Sequence, residues 1–296
     1  MPVAKTVLIT GASSGFGLLT TVTLARRGWR VLATMRDLKR REKLENAARA
    51  AGVLDRIEFI ALDVTDNAKI AELAVSISAR IDAVDEANAD SPRLARLDAI
   101  INNAGFAMAG FAEDVSDAEL RRQFDTNFFG AAAVTRAFLP LMRRQGSGHV
   151  VMISSISGRM GFPGVSSYSA SKFALEGWAE TLRLEMKPLG VQIVLVEPGS
   201  FETDIWTRNA IFSARSQDEN SPNAARTSRL MNSREARKLK ADPQVVADGI
   251  AAILDKPRPR LRYVFGKDAK LGLLLKCVLP SKVLEWLLIR VSGIGE

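Results

Sequence analysis

Seven short runs of apolar and β-branched residues recur along this chain of 296 residues, separated by longer stretches with helical patterns. They are Thr6 to Thr10, Arg30 to Met35, Ile57 to Leu62, Ala99 to Asn102, His149 to Ser154, Gln192 to Glu197 and Leu261 to Phe265. Runs that stay apolar instead of alternating need cover on both faces of a sheet, and strands separated by helices run parallel. The pattern predicts an α/β fold: one doubly wound domain over residues 1–296, with a mostly parallel seven-stranded sheet and helices on both faces. Periodicity is weakest from Ser200 to Lys240, a stretch with Ser213, Ser216, Ser221, Pro222 and many charges. This stretch reads as a C-terminal substrate lid, ahead of a helix that Asp242-Pro243 should cap.

Apolar residues at 47% and charged residues at 25% exclude a disordered or fibrous chain. A single cysteine, Cys277, excludes an intramolecular disulfide and points to a reducing compartment, the cytoplasm. Basic residues outnumber acidic ones 41 to 33. The segment from Arg226 to Glu296, with 15 basic and 7 acidic residues, carries the whole excess. No zinc-finger spacing or basic-aromatic interleaving accompanies it, so nucleic acid is not the expected partner. Residues 270–292 form an amphipathic C-terminal segment, in which Val283, Leu284, Leu287, Leu288 and Val291 share one helical face. Lys276, Pro280, Lys282, Glu285 and Arg290 interrupt it too often for a membrane span. Packing on the core or on another subunit of a homo-oligomer, dimer or tetramer, is the simpler reading. Cover for the substrate mouth, and peripheral membrane contact beside the basic tail, stay open.

The stretch TGASSGFG, Thr10 to Gly17, has two chemical readings. As G-x-S-x-G it would present Ser13 as a hydrolase nucleophile, but that elbow needs an oxyanion loop from an earlier strand and a histidine on a late loop. Only a dozen residues precede Ser13, and the lone histidine, His149, opens a strand. No Gly-Lys-Ser/Thr follows, so a Walker loop fails too. The remaining reading places Gly11, Ser13, Ser14, Gly15, Phe16 and Gly17 between a strand and a helix from Leu18 to Arg27. Backbone N–H groups there would meet a pyrophosphate. Where NAD-binding folds keep an acid after the second strand, this chain has Met35 and then Arg36, which favours NADP(H) over NAD(H). The bland alternative is a solvated arginine at the head of a basic helix.

Tyr168 and Lys172 stand one helical turn apart in Ser167-Tyr168-Ser169-Ala170-Ser171-Lys172. A phenol with a pKa of about 10 needs roughly 4 kcal/mol of anion stabilisation to work as a base at neutral pH, and a cation a few ångströms away supplies much of that. No metal is required, and His149 reads as a structural residue.

With the glycine loop, Asn102-Asn103-Ala104-Gly105, the Tyr168/Lys172 pair and Pro198-Gly199 in this order and spacing, the chain resembles the short-chain dehydrogenase/reductase family. That resemblance implies a Rossmann fold, with Tyr168 as the acid/base, Lys172 lowering its pKa and holding the nicotinamide ribose, and Ser155 binding the substrate oxygen. Ser154 ranks below Ser155. Asn127 would hold a water leading protons toward the lysine. Asp63 and Val64 would lie by the adenine, and Asn102 would join the cofactor site. Phe16 departs from the family's usual aliphatic residue. The segments Val31–Arg40, Tyr168–Gly177 and Glu197–Ser200 resemble the 17β-hydroxysteroid and retinol dehydrogenase branch, which implies a small lipophilic ketone, aldehyde or alcohol as substrate. A cofactor-binding regulatory or scaffold protein without turnover is the rival.

Overall fold

The computed structural model describes residues 4–83, 94–203, 210–236 and 241–295. The main sheet contains β1 (Thr6–Ile9), β2 (Arg30–Met35), β3 (Ile57–Ala61), β4 (Ala99–Asn102), β6 (Gly148–Ile153), β7 (Val191–Pro198) and β9 (Arg262–Phe265), which correspond to the seven expected runs. Its order is β3-β2-β1-β4-β6-β7-β9 with every neighbour parallel. The order reverses between β1 and β4, and in parallel sheets a crevice opens at the carboxyl ends of such a pair.

Period-two alternation explains the double cover. Val7, Ile9, Val31, Ala33, Ile101, Val151 and Val194 face one apolar cluster, formed with α1 (Gly15–Arg26), α2 (Glu42–Ala50) and α8 (Gln244–Leu254). Leu8, Leu32, Ile100, Val150, Ile193 and Leu195 face the other, formed with α3 (Asn67–Asp82), α5 (Ala131–Gln145) and α6 (Ser166–Met186). Asp242 receives a hydrogen bond from the Gln244 N–H (2.9 Å), so Asp242-Pro243 does start α8. α1 begins at Gly15, three residues before the expected Leu18, so its first turn is built from the glycine loop itself.

Two elements escaped the sequence reading. β5 (Ala107–Ala109) and β8 (Ala210–Phe212) form a separate parallel pair that ties the expected lid to the segment after β4. The lid continues as α7 (Ala224–Ala236), and its residues 204–209 and 237–240 lie outside the described residues. The amphipathic segment is two helices, α9 (Lys267–Val278) and α10 (Ser281–Ser292), because Leu279-Pro280 interrupts it. Leu284, Leu287 and Leu288 are half-buried, whereas Val283 and Val291 of the expected stripe are exposed.

Candidate active site

A cleft of ≈ 530 Å³ opens at the β1/β4 reversal. Gly11, Ser13, Ser14, Gly15, Phe16, Met35, Arg36, Asp63, Val64 and Asn103 are among the residues lining it. Gly11 and Gly15 adopt φ of +68° and +55°. At Gly11 a Cβ would also stand 2.8 Å from Ala104 Cα. At Gly17 a Cβ would collide with the Gly11 carbonyl and stand 2.5 Å from Asn103 Nδ2. Ser14 flanks the start of α1 and makes no side-chain cap hydrogen bond, and the first turn holds no acid, so its leading N–H groups are available to an anion. These glycines and this helix start fit a dinucleotide's pyrophosphate. Gly17→Ala is expected to raise the cofactor Kd about 10- to 100-fold and to cost about 1–3 kcal/mol of stability, because the collision is with backbone. Nicotinamide fluorescence titration and thermal unfolding read the two effects.

Thr10 and Asn103 hold the loop against β4. Thr10 Oγ1 accepts from the N–H groups of Asn103 and Ala104, both at 3.0 Å. Asn103 Nδ2 donates to the carbonyls of Thr10 and Gly11, both at 2.9 Å. Asn102, the expected cofactor contact, has its side chain elsewhere. It is buried at the end of β4 and donates to Thr135 Oγ1 (2.8 Å) on α5. The alternation of the strand explains this, since Asn102 follows Ile100 by two and shares its α5-facing side. Asn103, the next residue of the motif, is the one that lines the cleft.

At the adenosine end Arg36 and Arg40 are both exposed and both line the cleft; Arg40 was not singled out from sequence. Asp37 lies between them in sequence and also lines the cleft, and its Oδ1 accepts the Lys39 N–H at 2.9 Å. Asp63 Oδ1 is engaged by the backbone N–H and hydroxyl of Thr65 (3.0 and 2.8 Å). Arg122, Thr203 and Ile211 also line the cleft, and the last of these comes from the lid strand β8.

The expected chemical groups are buried and are not among the residues lining the cleft. Tyr168 is 4% exposed, packed with Ala107, Val165 and Phe162. Its phenol hydrogen-bonds the Ser155 side chain, and burial, outweighing that bond, pushes its pKa up to about 12. Ser155 sits in extended backbone beyond β6, where its Oγ also accepts from the Ser157 N–H (3.1 Å). Lys172 Nζ donates to the Ile153 carbonyl at 2.8 Å and lies 5.8 Å from the centroid of the Tyr168 ring. Burial pulls its pKa down to about 8, against the attraction of Glu176. Ser155 is the hydrogen-bonding group that draws the phenol pKa downward.

Glu176 stands on the next turn of α6 and, like Arg40, is not singled out by the sequence pattern. Burial, with Glu197 nearby, pushes its pKa up to about 7. Arg262 contacts both carboxylates, at 3.1 Å and 3.2 Å, and Arg159 contacts Glu197 at 3.2 Å. Asn127 lies in a π-helical turn, Asp125–Gly130, the form in which a helix admits an extra residue beside a site. Its carboxamide donates to Phe106 O (3.0 Å) and Ser171 Oγ (3.3 Å) and accepts from the Phe106 N–H (3.1 Å). Ser171 in turn donates to Tyr168 O (2.7 Å), which links Asn127 to the tyrosine's helix.

His149 is at the opposite, amino end of the sheet and donates from Nε2 to the Lys256 carbonyl (2.9 Å). It has no access to Ser13, so the hydrolase reading has no base. Among the described residues no acid, histidine or cysteine cluster is arranged to hold a metal.

Residues 5–211 match the family model for short chain dehydrogenases. This chain is a short-chain dehydrogenase. The short-chain dehydrogenase is 35% identical to human retinol dehydrogenase 8, over 87% of this chain and 80% of the relative. It is 34% identical to 3-ketodihydrosphingosine reductase of Bacteroides thetaiotaomicron, over 95% of this chain and 92% of the relative. A short-chain dehydrogenase from Streptomyces avermitilis, whose structure is solved, superposes with a TM-score of 0.77 at 35% identity, covering 97% of this chain and 98% of that one. The protein is therefore an oxidoreductase of this family.

Proposed function

We propose that the protein is an NADP(H)-dependent oxidoreductase that interconverts a lipophilic ketone or aldehyde with its alcohol, with Tyr168 as the acid/base. The observation carrying this reading is the buried Ser155–Tyr168 hydrogen bond with Lys172 beneath it, beside the glycine-lined cleft. When bound, the cofactor supplies or accepts the hydride. Ser155 orients the substrate oxygen, and Tyr168, whose proton burial holds in place, gives that proton to a carbonyl oxygen. Lys172 positions the nicotinamide ribose, and Asn127 and Ser171 brace the helix that carries both groups. A scaffold without turnover gains nothing from burying a tyrosine and a lysine against their charged forms, which disfavours the rival.

Arg36 and Arg40, with Met35 where an acid would serve NAD, support the preference for a 2′-phosphate. Arg36→Ala is expected to weaken NADPH about tenfold or more while leaving NADH within about twofold, since a charge-assisted contact to phosphate is lost in one case only. Equal effects on both would overturn the cofactor assignment. The names of the two curated relatives join retinol, an alcohol, and ketodihydrosphingosine, a ketone, both lipophilic. Turnover with NADPH across steroids, retinoids, long-chain ketones and small aromatic ketones tests the substrate class, and activity confined to small hydrophilic carbonyls would refute it.

A further inference from the structure

Half of the exposed large apolar side chains among the described residues lie in two adjacent helices. Of the fourteen, seven belong to α9 and α10: Leu271, Leu274, Val278, Val283, Trp286, Ile289 and Val291. α10 packs on α7 and α9, and α9 on β9. Leu271, Leu274 and Val278 recur at helical spacing along α9, and Val283, Trp286 and Ile289 along α10, so each helix keeps an outward apolar stripe. Leu274 is 60%, Val278 70% and Trp286 57% exposed.

The charges on these helices select the occupant. Lys267, Lys270, Lys276, Lys282 and Arg290 are all exposed. Lys267 and Lys270 precede Leu271 and Leu274 by one helical turn, and Lys282 and Arg290 bracket Trp286 by one turn each. Arg290 lies 5.4 Å from the Trp286 ring centroid. Of the two acids, Asp268 accepts the Ser200 N–H (2.7 Å) and leaves Glu285 as the exposed one. Protein interfaces deplete lysine, whereas a bilayer surface takes lysines at its headgroups, tryptophan at the boundary and leucines below it. No helix among the described residues is long and apolar enough to cross a membrane.

We propose that α9 and α10 form a docking surface for an anionic lipid bilayer, on which the protein lies without spanning it. A mainly apolar groove of ≈ 360 Å³ runs between α10, at Leu288 and Ile289, and Phe162, Ser166 and Ser169. Ile289 of the outward stripe lines this groove, together with Glu285, so docking would bring the groove to the lipid surface, and Phe162 on its other side packs against the cluster that holds Tyr168. That placement bears on catalysis only with the lipophilic substrate proposed above; the docking itself does not depend on it.

Cys277, the chain's one cysteine, is exposed on α9 and takes an environment-sensitive fluorophore without mutagenesis. The full-length protein is expected to co-sediment with phosphatidylcholine/phosphatidylglycerol vesicles, less so as salt rises, and to shift the Cys277 label to the blue. Leu274→Gln with Trp286→Gln is expected to weaken vesicle binding about tenfold or more, with the unfolding midpoint and turnover of a water-soluble ketone unchanged. Absence of binding to anionic vesicles overturns the proposal. So does a lipid-independent dimer that the same double variant dissociates, since a second copy then covers the face. Vesicle binding without turnover of any lipophilic carbonyl keeps the docking surface and refutes the substrate class alone.

Discussion

Tyr168→Phe is expected to bind cofactor within about twofold of the wild type and to lower turnover of an accepted ketone about 10³-fold, the scale of a lost general acid. The phenyl ring keeps the contacts with Ala107, Val165 and Phe162, so the cluster stays packed. What goes is the hydroxyl that meets Ser155. Steady-state turnover beside a direct binding titration separates the two, and unchanged turnover would remove Tyr168 from the mechanism. The variant also has a signature in alkali. Because the folded phenol titrates near 12 and its ordinary value is 10.0, the wild type's phenol favours folding below pH 10 and loses that contribution as pH rises toward 12. Phenylalanine lacks this decline.

Lys172→Met has effects of opposite sign on activity and stability. Turnover is expected to fall, by about 10²-fold or more, if Lys172 holds the cofactor ribose as proposed. Stability at pH 7 rises. The folded lysine titrates near 8 against 10.5 as an ordinary lysine, so the unfolded chain binds the proton more tightly. The resulting penalty is fully present below pH 8, about 3 kcal/mol before offsets, and fades as pH climbs to 10.5. Methionine leaves the Ile153 carbonyl without its donor, which returns about 1–2 kcal/mol of that. The variant is thus expected to be about 1–2 kcal/mol more stable at pH 7, with the difference vanishing or reversing near pH 10.5. Denaturant unfolding at both pH values measures it. A variant less stable at pH 7 would show that the lysine is not held against its charge.

The five inner strands could be read from sequence because burial on both faces leaves a nearly uninterrupted apolar run, the edge strands β3 and β9 because their β-branched and aromatic residues recur between helical patterns, and the glycine loop because its neighbours change period around it. β5 and β8 could not. Strands of three residues, Ala107-Met108-Ala109 and Ala210-Ile211-Phe212, are too short to show a period. Two-residue alternation assigns Asn102 to the side of Ile100, which leaves Asn103 as the motif's asparagine on the cleft. Arg40 depends on a tight turn, Leu38–Arg40, capped by Asp37, whose direction no local pattern reveals. Glu176 is legible as a third step of the Tyr168/Lys172 ladder, but its burial comes from Arg262 and Glu197 on strands far along the chain.

The pairing of β5 with β8 makes part of the cleft depend on distant segments of the chain. Neither strand has a partner nearby in sequence, and the chain between them includes β6, α6 and β7, so bringing the two together costs more conformational entropy than closing a hairpin. Ile211, which lines the cleft, is held in that ribbon, so this side of the cleft rests on a contact that no local segment can form on its own.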